Sequence, residues 1–196
     1  YNAYITKIAN AMVDSGEAGE GEYTGERNTA GQREGRGTER FADGDVYEGE
    51  FKAGKREGRG TFTFSYGDVY EGEFKAGKKE GRGTYNATDG GAYEGEYKAD
   101  LMDGRGRYRF VDGNVYEGEF KAGKQEGRAT FRYADARAEV GRYVAGADAG
   151  EGCGWSADGT QAWRLRDGEM VEEISLATAA KIAAAVGLPV PAAQGT

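Results

Sequence analysis

Apolar and polar residues alternate along most of the chain in short runs, and a turn signal follows each run. In the segment VYEGEF (46–51), Tyr47, Gly49 and Phe51 share one face by the two-residue period of a strand, and charged residues take the other face. In the segment GRGTFTF (58–64), the glycines and phenylalanines share one face, and the arginine and threonines share the other. The pattern predicts pairs of short strands.

This strand pair recurs with a period of 23 residues, except that the first unit has one extra loop residue. We expect Lys52 to Glu57 to form a hairpin loop around Gly54, and Asp-Gly pairs such as Asp43-Gly44 to turn the chain between units. The result is a continuous antiparallel meander. An array of copied units usually works as a surface and seldom as a catalytic pocket.

Two boxes mark the units: an aromatic-x-Gly-Glu box and a Gly-Arg-Gly box, the fifth copy of which is altered to Gly127-Arg128-Ala129. Glycine in a strand often marks close approach of another group. We therefore expect these glycines to leave slots in which aromatic rings from the next unit lie, each ring burying about 150–250 Å². The residues that define the repeat are Tyr23, Gly25, Gly35, Gly37, Tyr47, Gly49, Phe51, Gly58, Gly60, Tyr70, Gly72, Phe74, Gly81, Gly83, Tyr93, Gly95, Tyr97, Gly104, Gly106, Tyr116, Gly118, Phe120 and Gly127.

The same pairing predicts charge pairs on the opposite face. If Phe51 opposes Gly58, then Glu50 opposes Arg59. Cross-strand pairs of opposite charge contribute about 0.2–1 kcal/mol each. The face is interpreted either as a solvated, salt-bridged surface or as a charge ladder that recognises a partner. The equivalent pairs are Glu73/Arg82, Glu96/Arg105 and Glu119/Arg128.

The two ends of the chain have helical patterns. Residues 1–13 place aromatic and aliphatic side chains at helical spacing, and this segment either covers the first open strand edge or docks on a partner. Ser175 is a predicted N-cap for a helix over 176–186, followed by Gly187 as its stop. Its narrow apolar face, which packs on the last strand or on another subunit, comprises Leu176, Ala179, Ile182 and Val186.

The repeat decays after Tyr133, where Glu139 stands at a position occupied by tyrosine in earlier units. Terminal repeats are atypical because they cap the array. Trp155 and Trp163 are expected to close the final aromatic slots, with a protein contact as the alternative.

Composition argues against catalysis and against several kinds of partner. The chain lacks histidine, so its one cysteine (Cys153) has no histidine partner for nucleophilic catalysis. The Glu48/Glu50 carboxylate pair recurs in four units, which indicates a structural role and not a single catalytic site. We predict no enzyme activity, no cofactor and no metal site. The net charge of -8 disfavours nucleic acid and membranes as partners. The single cysteine suits a reducing compartment such as the cytoplasm.

The pattern Y-x-G-E-[FY]-x-x-G-x-x-x-G-x-G-x-[FY] resembles the MORN repeat (membrane occupation and recognition nexus), well over residues 22–133 and weakly over 134–168. The resemblance implies an all-β fold, an elongated and curved single-layer antiparallel meander used as a scaffold, with a short helix at each end. The predicted domains are an N-terminal capping segment (1–20), the repeat sheet (21–168), and a C-terminal helix and tail (169–196).

The first unit is similar to the opening repeat of the MORN proteins of the radial spoke head, through its Arg-Asn-x-Ala-Gly-x-Arg run, 27–33, and its extra residue. That resemblance implies a structural subunit of the ciliary or flagellar axoneme, in the cytoplasm and cytoskeleton. Its partners would be other spoke-head proteins, a second MORN subunit or a second copy of this chain, and the surface of the central pair. The alternatives are a lipid-associated MORN scaffold and a regulatory segment of a larger enzyme.

Overall fold

A computed structural model describes residues 22–192 of the chain. Within them, fourteen antiparallel strands form one open sheet in which each strand pairs with its neighbours in sequence, which confirms the predicted meander. The strands are β1 Glu22–Arg27, β2 Arg33–Arg40, β3 Val46–Lys52, β4 Lys55–Thr63, β5 Val69–Lys75, β6 Lys78–Asn86, β7 Ala92–Lys98, β8 Leu101–Arg109, β9 Val115–Lys121, β10 Lys124–Arg132, β11 Ala138–Val144, β12 Ala147–Trp155, β13 Ala162–Arg166 and β14 Glu169–Ile174.

The described residues fall into two compact units, 22–103 and 104–192, and the boundary lies within β8. The N-terminal unit contains β1 to β7 and the start of β8. The C-terminal unit contains the rest of β8, strands β9 to β14, and one helix, α1 (Leu176–Ala185). The helix predicted within residues 1–20 lies outside the described residues.

The hairpin turns are tighter than the sequence predicts. The loop expected over Lys52 to Glu57 is a two-residue turn, because β3 ends at Lys52 and β4 begins at Lys55. Ala53 and Gly54 have φ values of 48° and 82°. Two successive residues with positive φ match the twist of a hairpin. Aspartate takes the first position in the turn between β13 and β14, at Asp167, and alanine takes it in the other five such turns: Ala53, Ala76, Ala99, Ala122 and Ala145.

A bulge follows each of these turns and changes the register. Tyr47 lies opposite Phe62 and Gly49 opposite Gly60, as expected, but Phe51 lies opposite Arg56 and not Gly58. Two extra residues of β4, Gly58 and Arg59, are accommodated in the bulge, and the φ of 64° at Gly58 favours glycine. Gly58 instead pairs with Phe74 of the following hairpin. The Phe51/Gly58 part of the predicted register is therefore wrong.

One face of the sheet carries the core. In the N-terminal unit the rings of Tyr47, Phe62 and Tyr70 are almost completely buried. Charged residues of the same strands, such as Glu48 and Glu71, are exposed on the other face. The period-2 assignment of faces therefore holds, since glutamates and aromatic rings alternate along each strand.

The C-terminal segment also departs from prediction in two places. The sheet continues to Ile174 through β14, past the domain boundary predicted at residue 168. The helix is capped as expected: the Ser175 side chain accepts a hydrogen bond from the Thr178 N–H, and Gly187 has a φ of 73° after the helix end. Leu176, predicted on its apolar face, is largely exposed.

Candidate protein-binding faces of the repeat sheet

Tyrosine rings lie over pairs of glycines from their own hairpin. A Cβ atom added to Gly49 or to Gly60 would come within 2.4 Å of the Tyr47 hydroxyl. That hydroxyl donates a hydrogen bond to the Glu50 carbonyl at 3.0 Å, and burial raises the pKa of Tyr47 well above its ordinary value. The slots are thus filled by the ring of the same unit, and the expectation that a ring from the next unit fills them is wrong.

The same hydroxyl bond recurs in the other units. In each case the acceptor is the carbonyl of the glutamate three residues after the tyrosine, so the ring is fixed at both ends. The bonds are Tyr23 to Glu26, Tyr70 to Glu73, Tyr93 to Glu96 and Tyr116 to Glu119, at 2.8–3.0 Å.

Rings of neighbouring hairpins meet edge to face. The ring of Tyr47 lies 5.1 Å from that of Phe51 in its own hairpin and 4.9 Å from that of Phe74 in the next. Such pairs contribute about 0.5–1.5 kcal/mol beyond the area they bury. In the C-terminal unit, Tyr116 contacts Tyr143 in the same way at 5.1 Å. The next hairpin therefore contacts the tyrosine ring through an aromatic side chain of its own, although it does not fill the glycine slot.

A cation lies among the rings at one position of the repeat. The Arg56 guanidinium carbon is 5.3 Å from the centre of the Phe62 ring, and the Lys79 ammonium is 4.9 Å from that of Phe64. Both side chains are buried against several aromatic faces, which attract cations. In later hairpins the same position holds Met102 and Gln125, so the charge is absent there while the packing role remains.

Side-chain acceptors tie each hairpin to the next at both ends of the strands. At the turns, Glu57 accepts the Ala76 N–H at 2.9 Å, and equivalent bonds join Glu34 to Ala53, Glu80 to Ala99 and Glu126 to Ala145. At the opposite ends, the buried Asp45 accepts the Ser65 N–H at 2.7 Å, as Asp68 does for Thr88 and Asn114 for Ala134. These hydrogen bonds use repeated carboxylates, and in one case the Asn114 amide oxygen, to accept backbone N–H groups.

Charged residues of the exposed face lie opposite one another between hairpins and also contact one another within a hairpin. Arg59 lies opposite Glu73 of the next hairpin, and the Glu50 carboxylate accepts the backbone N–H of Arg59 at 2.9 Å. The predicted Glu50/Arg59 register across one hairpin is therefore wrong, because the two bulge residues, Gly58 and Arg59, leave Glu57 opposite Glu50. The predicted pair of Glu119 and Arg128, within one hairpin of the C-terminal unit, is present as an ion pair at 3.8 Å, and both side chains are about two-fifths exposed. The face is a regular array of charges accessible to a partner.

The sixth unit lacks the tyrosine. Glu139 takes its position, and its carboxylate accepts a hydrogen bond from the Tyr133 hydroxyl at 2.9 Å. Burial raises the pKa of Glu139. A Cβ added to Gly141 would meet only the Cα of Gly152, at 4.0 Å. The space beside Gly141 and Gly152 is only about 10 Å³, and a separate groove of about 600 Å³ is lined in part by Glu139 and Trp163.

The opposite face of the sixth unit is apolar and carries the helix. Val140 and Cys153 stand where the fifth unit has Glu117 and Thr130, and they pack in a buried cluster with Ile182 of α1. The Cys153 thiol donates to the Ala179 carbonyl at 3.3 Å, and burial raises its pKa to about 12. This cysteine is a packing residue, since the thiolate is disfavoured there.

The two tryptophans have separate roles. Trp163 lies over Gly154 on the aromatic face, since a Cβ at Gly154 would come within 2.3 Å of its indole nitrogen. Trp155 lies in the cluster beneath the helix. Only Trp163 occupies an aromatic slot, so the prediction is wrong for Trp155.

Within residues 22–192, no group of three or more metal-ligating side chains is placed to hold an ion. No helix in that range has the length and apolar character needed to cross a membrane. The structure brings together the tyrosines and Gly-x-Gly boxes predicted from sequence. The burial of Arg56 and Lys79 and the acceptor role of Asp45 were not predicted from the sequence. The available signal is that basic residues recur at Arg33, Arg56 and Lys79, and that aspartate recurs once, at Asp68.

The geometry defines a repeat protein in which rings over glycine pairs stabilise an antiparallel sheet. The sequence signature of the MORN repeat matches residues 29–46, 47–69, 70–92, 93–115 and 116–135, which together make up more than half of the chain. The chain belongs to the MORN repeat family. The family indicates a structural module or one that binds proteins or membranes.

No curated protein sequence shows significant similarity to the chain. Similar solved structures include the TCP domain of SAS-4 (dCPAP) of Drosophila melanogaster in complex with a proline-rich motif of Ana2, with 12% identity, a TM-score of 0.46 and coverage of 78% of this chain and 96% of that one. Another is the G-box domain of the microcephaly protein CPAP, with 14% identity, a TM-score of 0.40 and coverage of 79% and 97%. The likeness concerns strand arrangement alone.

Proposed function

We propose that this chain is a non-enzymatic scaffold subunit that presents its repeat sheet to other proteins. The observation that carries the proposal is the use of the repeated carboxylates. Glu50 supports the Arg59 N–H, and Glu57 supports the Ala76 N–H of the next hairpin. Groups that act as acids, bases or nucleophiles in enzymes are here used to support the sheet, and the exposed charges recur in rows that suit an extended protein contact.

We further propose that the scaffold belongs to the radial spoke head of cilia or flagella, and so to the cytoplasm and cytoskeleton. The support is the first hairpin. Its loop spans Asn28 to Gln32, longer than the two-residue turns that follow. The Asn28 side chain accepts the N–H groups of Ala30 and Gln32 at 3.0 Å, and Arg27 donates to the Gly31 carbonyl at 2.7 Å. The distinctive Arg-Asn run thus builds a distinct loop at one end of the repeats.

The proposed partners are other spoke-head proteins, a second MORN subunit or a second copy of this chain, with the central-pair surface as the structure it faces. The net charge of -8 suits repeated contact and release. Repulsion between acidic surfaces is screened over about 8–10 Å at physiological salt. We expect raised ionic strength to alter coupling between spokes and the central pair.

Co-extraction from axonemes tests the spoke-head assignment. The tagged chain should sediment with axonemes and be released together with spoke-head proteins. A variant with the Asn28–Gln32 loop shortened to Ala-Gly, the turn of the second hairpin, should fold but be incorporated less. Normal spoke heads in cells that lack the chain would contradict the assignment.

A second candidate is binding to anionic lipid, favoured by one observation. Exposed lysines flank the hairpin turns of the N-terminal unit, at Lys52 and Lys55 and again at Lys75 and Lys78. Each lysine near an anionic membrane contributes about 1 kcal/mol. Flotation with vesicles rich in phosphatidylserine tests this: the chain should float, and replacement of these four lysines by glutamate should abolish flotation. Absence of the wild-type chain from the vesicle fraction would exclude this candidate.

A further inference from the structure

Three arginines lie near one another on the charged face of the C-terminal unit. Arg107 and Arg109 belong to β8 and Arg132 to β10, and Val115 of β9 lies opposite both Arg109 and Arg132. Alternate residues of a strand are about 6.6 Å apart, and two strands that flank a third are about 9.5 Å apart. The three side chains therefore form a compact basic cluster, which we call the arginine patch.

The arginine patch is particular to this unit. At the positions two repeat periods earlier, the N-terminal unit has Thr61, Thr63 and Asn86. The strand register there is the same, because Val69 lies opposite both Thr63 and Asn86. The repeat fold therefore forms without arginine at these positions, and the patch is an addition to the fold.

The positive charge of the patch is not neutralised by the rest of the described chain. Within residues 22–192, the three guanidinium groups form no ion pair and no hydrogen bond, although Arg107 lies opposite Glu117. Arg107 and Arg109 are exposed, and Arg132 is partly exposed. A cluster of accessible, unneutralised arginines attracts anionic groups.

We propose that the arginine patch binds an extended acidic segment of a partner protein, in which aspartate or glutamate recurs at every second residue. The inference rests on the proposed scaffold role, which it deepens by naming the chemistry of the partner. Carboxylates two residues apart in an extended segment have the spacing of Arg107 and Arg109. A segment that lies along β8 can therefore pair one carboxylate with each arginine, and Arg132 approaches it from across Val115. Guanidinium groups bind carboxylates through paired hydrogen bonds.

The small extent of the patch favours a short segment over larger anions. The same face also carries exposed glutamates, such as Glu117 opposite Arg107. A bilayer or a nucleic acid would bring its anionic groups over these glutamates as well, which the net charge of -8 further opposes. An extended segment can follow the arginines alone, on a surface of paired strands that is flat enough to receive it.

Three peptides with blocked ends test the proposal: Ac-Ser-Glu-Ser-Glu-Ser-Glu-Ser-amide, its isomer with the three glutamates consecutive, and its glutamine analogue. Each is titrated at low salt into the isotope-labelled chain while amide and guanidinium resonances are followed. We expect the alternating peptide to bind about tenfold more tightly than the glutamine analogue, with the isomer between them. The largest shifts should fall on the patch, and added salt should weaken binding. Equal affinity of the three peptides, or shifts confined to other residues, would overturn the proposal.

A triple variant gives the patch the residues of the earlier units: Arg107→Thr, Arg109→Thr and Arg132→Asn. It should fold, because the N-terminal unit has these residues in the same register, and it should bind all three peptides equally. The single variant Arg109→Thr should lower the affinity for the alternating peptide about twofold to threefold. Wild-type affinity in the single variant, or a retained preference in the triple variant, would overturn the proposal.

The matched control removes the same charge elsewhere. Lys52, Lys55 and Lys75 are exposed residues of the N-terminal unit, and their replacement by threonine should leave the affinity for the alternating peptide as in the wild type. An equal loss of affinity in this control would show that net charge, and not the arginine patch, determines binding, and would overturn the proposal.

Other occupants of the patch give different results. If the wild-type chain dimerises in sedimentation equilibrium and the triple arginine variant does not, a second copy covers the patch and the proposal is wrong. If vesicles rich in phosphatidylserine bind the wild type and the lysine control but not the triple arginine variant, the occupant is lipid and the proposal is equally wrong.

The scaffold role can fail separately. If the wild-type chain sediments with axonemal proteins but shows no preference among the peptides, the patch inference falls and the scaffold proposal stands. If the peptide preference is found but the chain assembles with no protein complex in cells, the scaffold proposal falls.

Discussion

The second and sixth units share a backbone plan but are stabilised differently. In the second, Tyr47 covers Gly49 and Gly60, and the opposite face is charged and exposed. In the sixth, Glu139 leaves Gly141 uncovered, while Val140 on the opposite face is buried under the helix. A ring lost on one face is matched by an apolar cluster gained on the other. A degenerate repeat can therefore remain part of the sheet when it buries apolar side chains on the face opposite the one that carries the aromatic rings in other units.

Removing the tyrosine ring should have the largest effect. Tyr47→Ala deletes a fully buried ring and its hydroxyl bond, and we expect a loss of about 3–5 kcal/mol in the free energy of unfolding. Glu139→Ala at the equivalent position should cost far less, because no ring fills that slot. Urea denaturation of both variants measures the difference, and similar losses would break the comparison.

The helix cluster should be the corresponding source of stability in the sixth unit. Ile182 is 7% exposed and packs in the cluster with Val140 and Cys153. We expect Ile182→Ala to cost about 2–4 kcal/mol. Leu176→Ala, an exposed position of the same helix, is the control and should change stability by less than about 0.5 kcal/mol. Equal effects of the two changes would show that the helix does not stabilise this face.

A single added methyl group at a glycine of each unit, Gly60 in the second and Gly141 in the sixth, tests the difference between the two units further. Gly60→Ala forces a Cβ to 2.4 Å from the Tyr47 hydroxyl and should cost about 1–3 kcal/mol. Gly141→Ala meets no such contact and should be neutral or stabilise by up to about 1 kcal/mol, since glycine weakens a strand. The melting temperatures of the two variants should shift from that of the wild type in opposite directions, or by clearly different amounts.

The side-chain hydrogen bonds between hairpins should contribute less to the free energy of unfolding. Glu57→Ala removes the acceptor of the Ala76 N–H, an exposed bond, and we expect a cost of about 0.5–1.5 kcal/mol. Glu48→Ala, an exposed glutamate of the preceding strand, is the control and should lie within about 0.5 kcal/mol of wild type. Amide hydrogen exchange at Ala76 should accelerate only in the first variant.

The smallest expected effect concerns the pH dependence of the sixth unit. Burial raises the pKa of Glu139, so its ionised form is disfavoured in the folded chain and its contribution to stability declines as pH rises through that pKa. Glu139→Gln should therefore gain stability relative to wild type at pH 7, and the gain should shrink toward pH 4. Melting temperatures across this range provide the check, and a gain that grows on acidification would contradict it.

The strand faces, the meander and the C-terminal helix could be predicted because each depends on local sequence. Tyr47 and Phe51 share a face by spacing alone, and Ser175 and Gly187 mark a helix by their backbone preferences. The register at Gly58 could not be predicted in this way. The bulge adds two residues, Gly58 and Arg59, to β4, and counting with a two-residue period cannot detect an even number of added residues.

The filling of the slots was also beyond sequence patterns. The spacing of Tyr47, Gly49 and Gly60 shows that a ring and two glycines share a face, but the rotamer decides which ring covers which glycine. The burial of Lys79 was missed because a lysine beside a turn is normally solvated. Its environment is supplied by rings of Phe62, Phe64 and Tyr70.

Strand order that follows chain order has a mechanical consequence. Since every strand pairs only with its sequence neighbours, a pull on the last strand of the sheet opens the outermost hairpin first and leaves those behind it closed. The ladder bonds of that hairpin break in succession, so the chain lengthens in many small increments. When tension falls, the intact neighbour is a template on which the freed hairpin closes again.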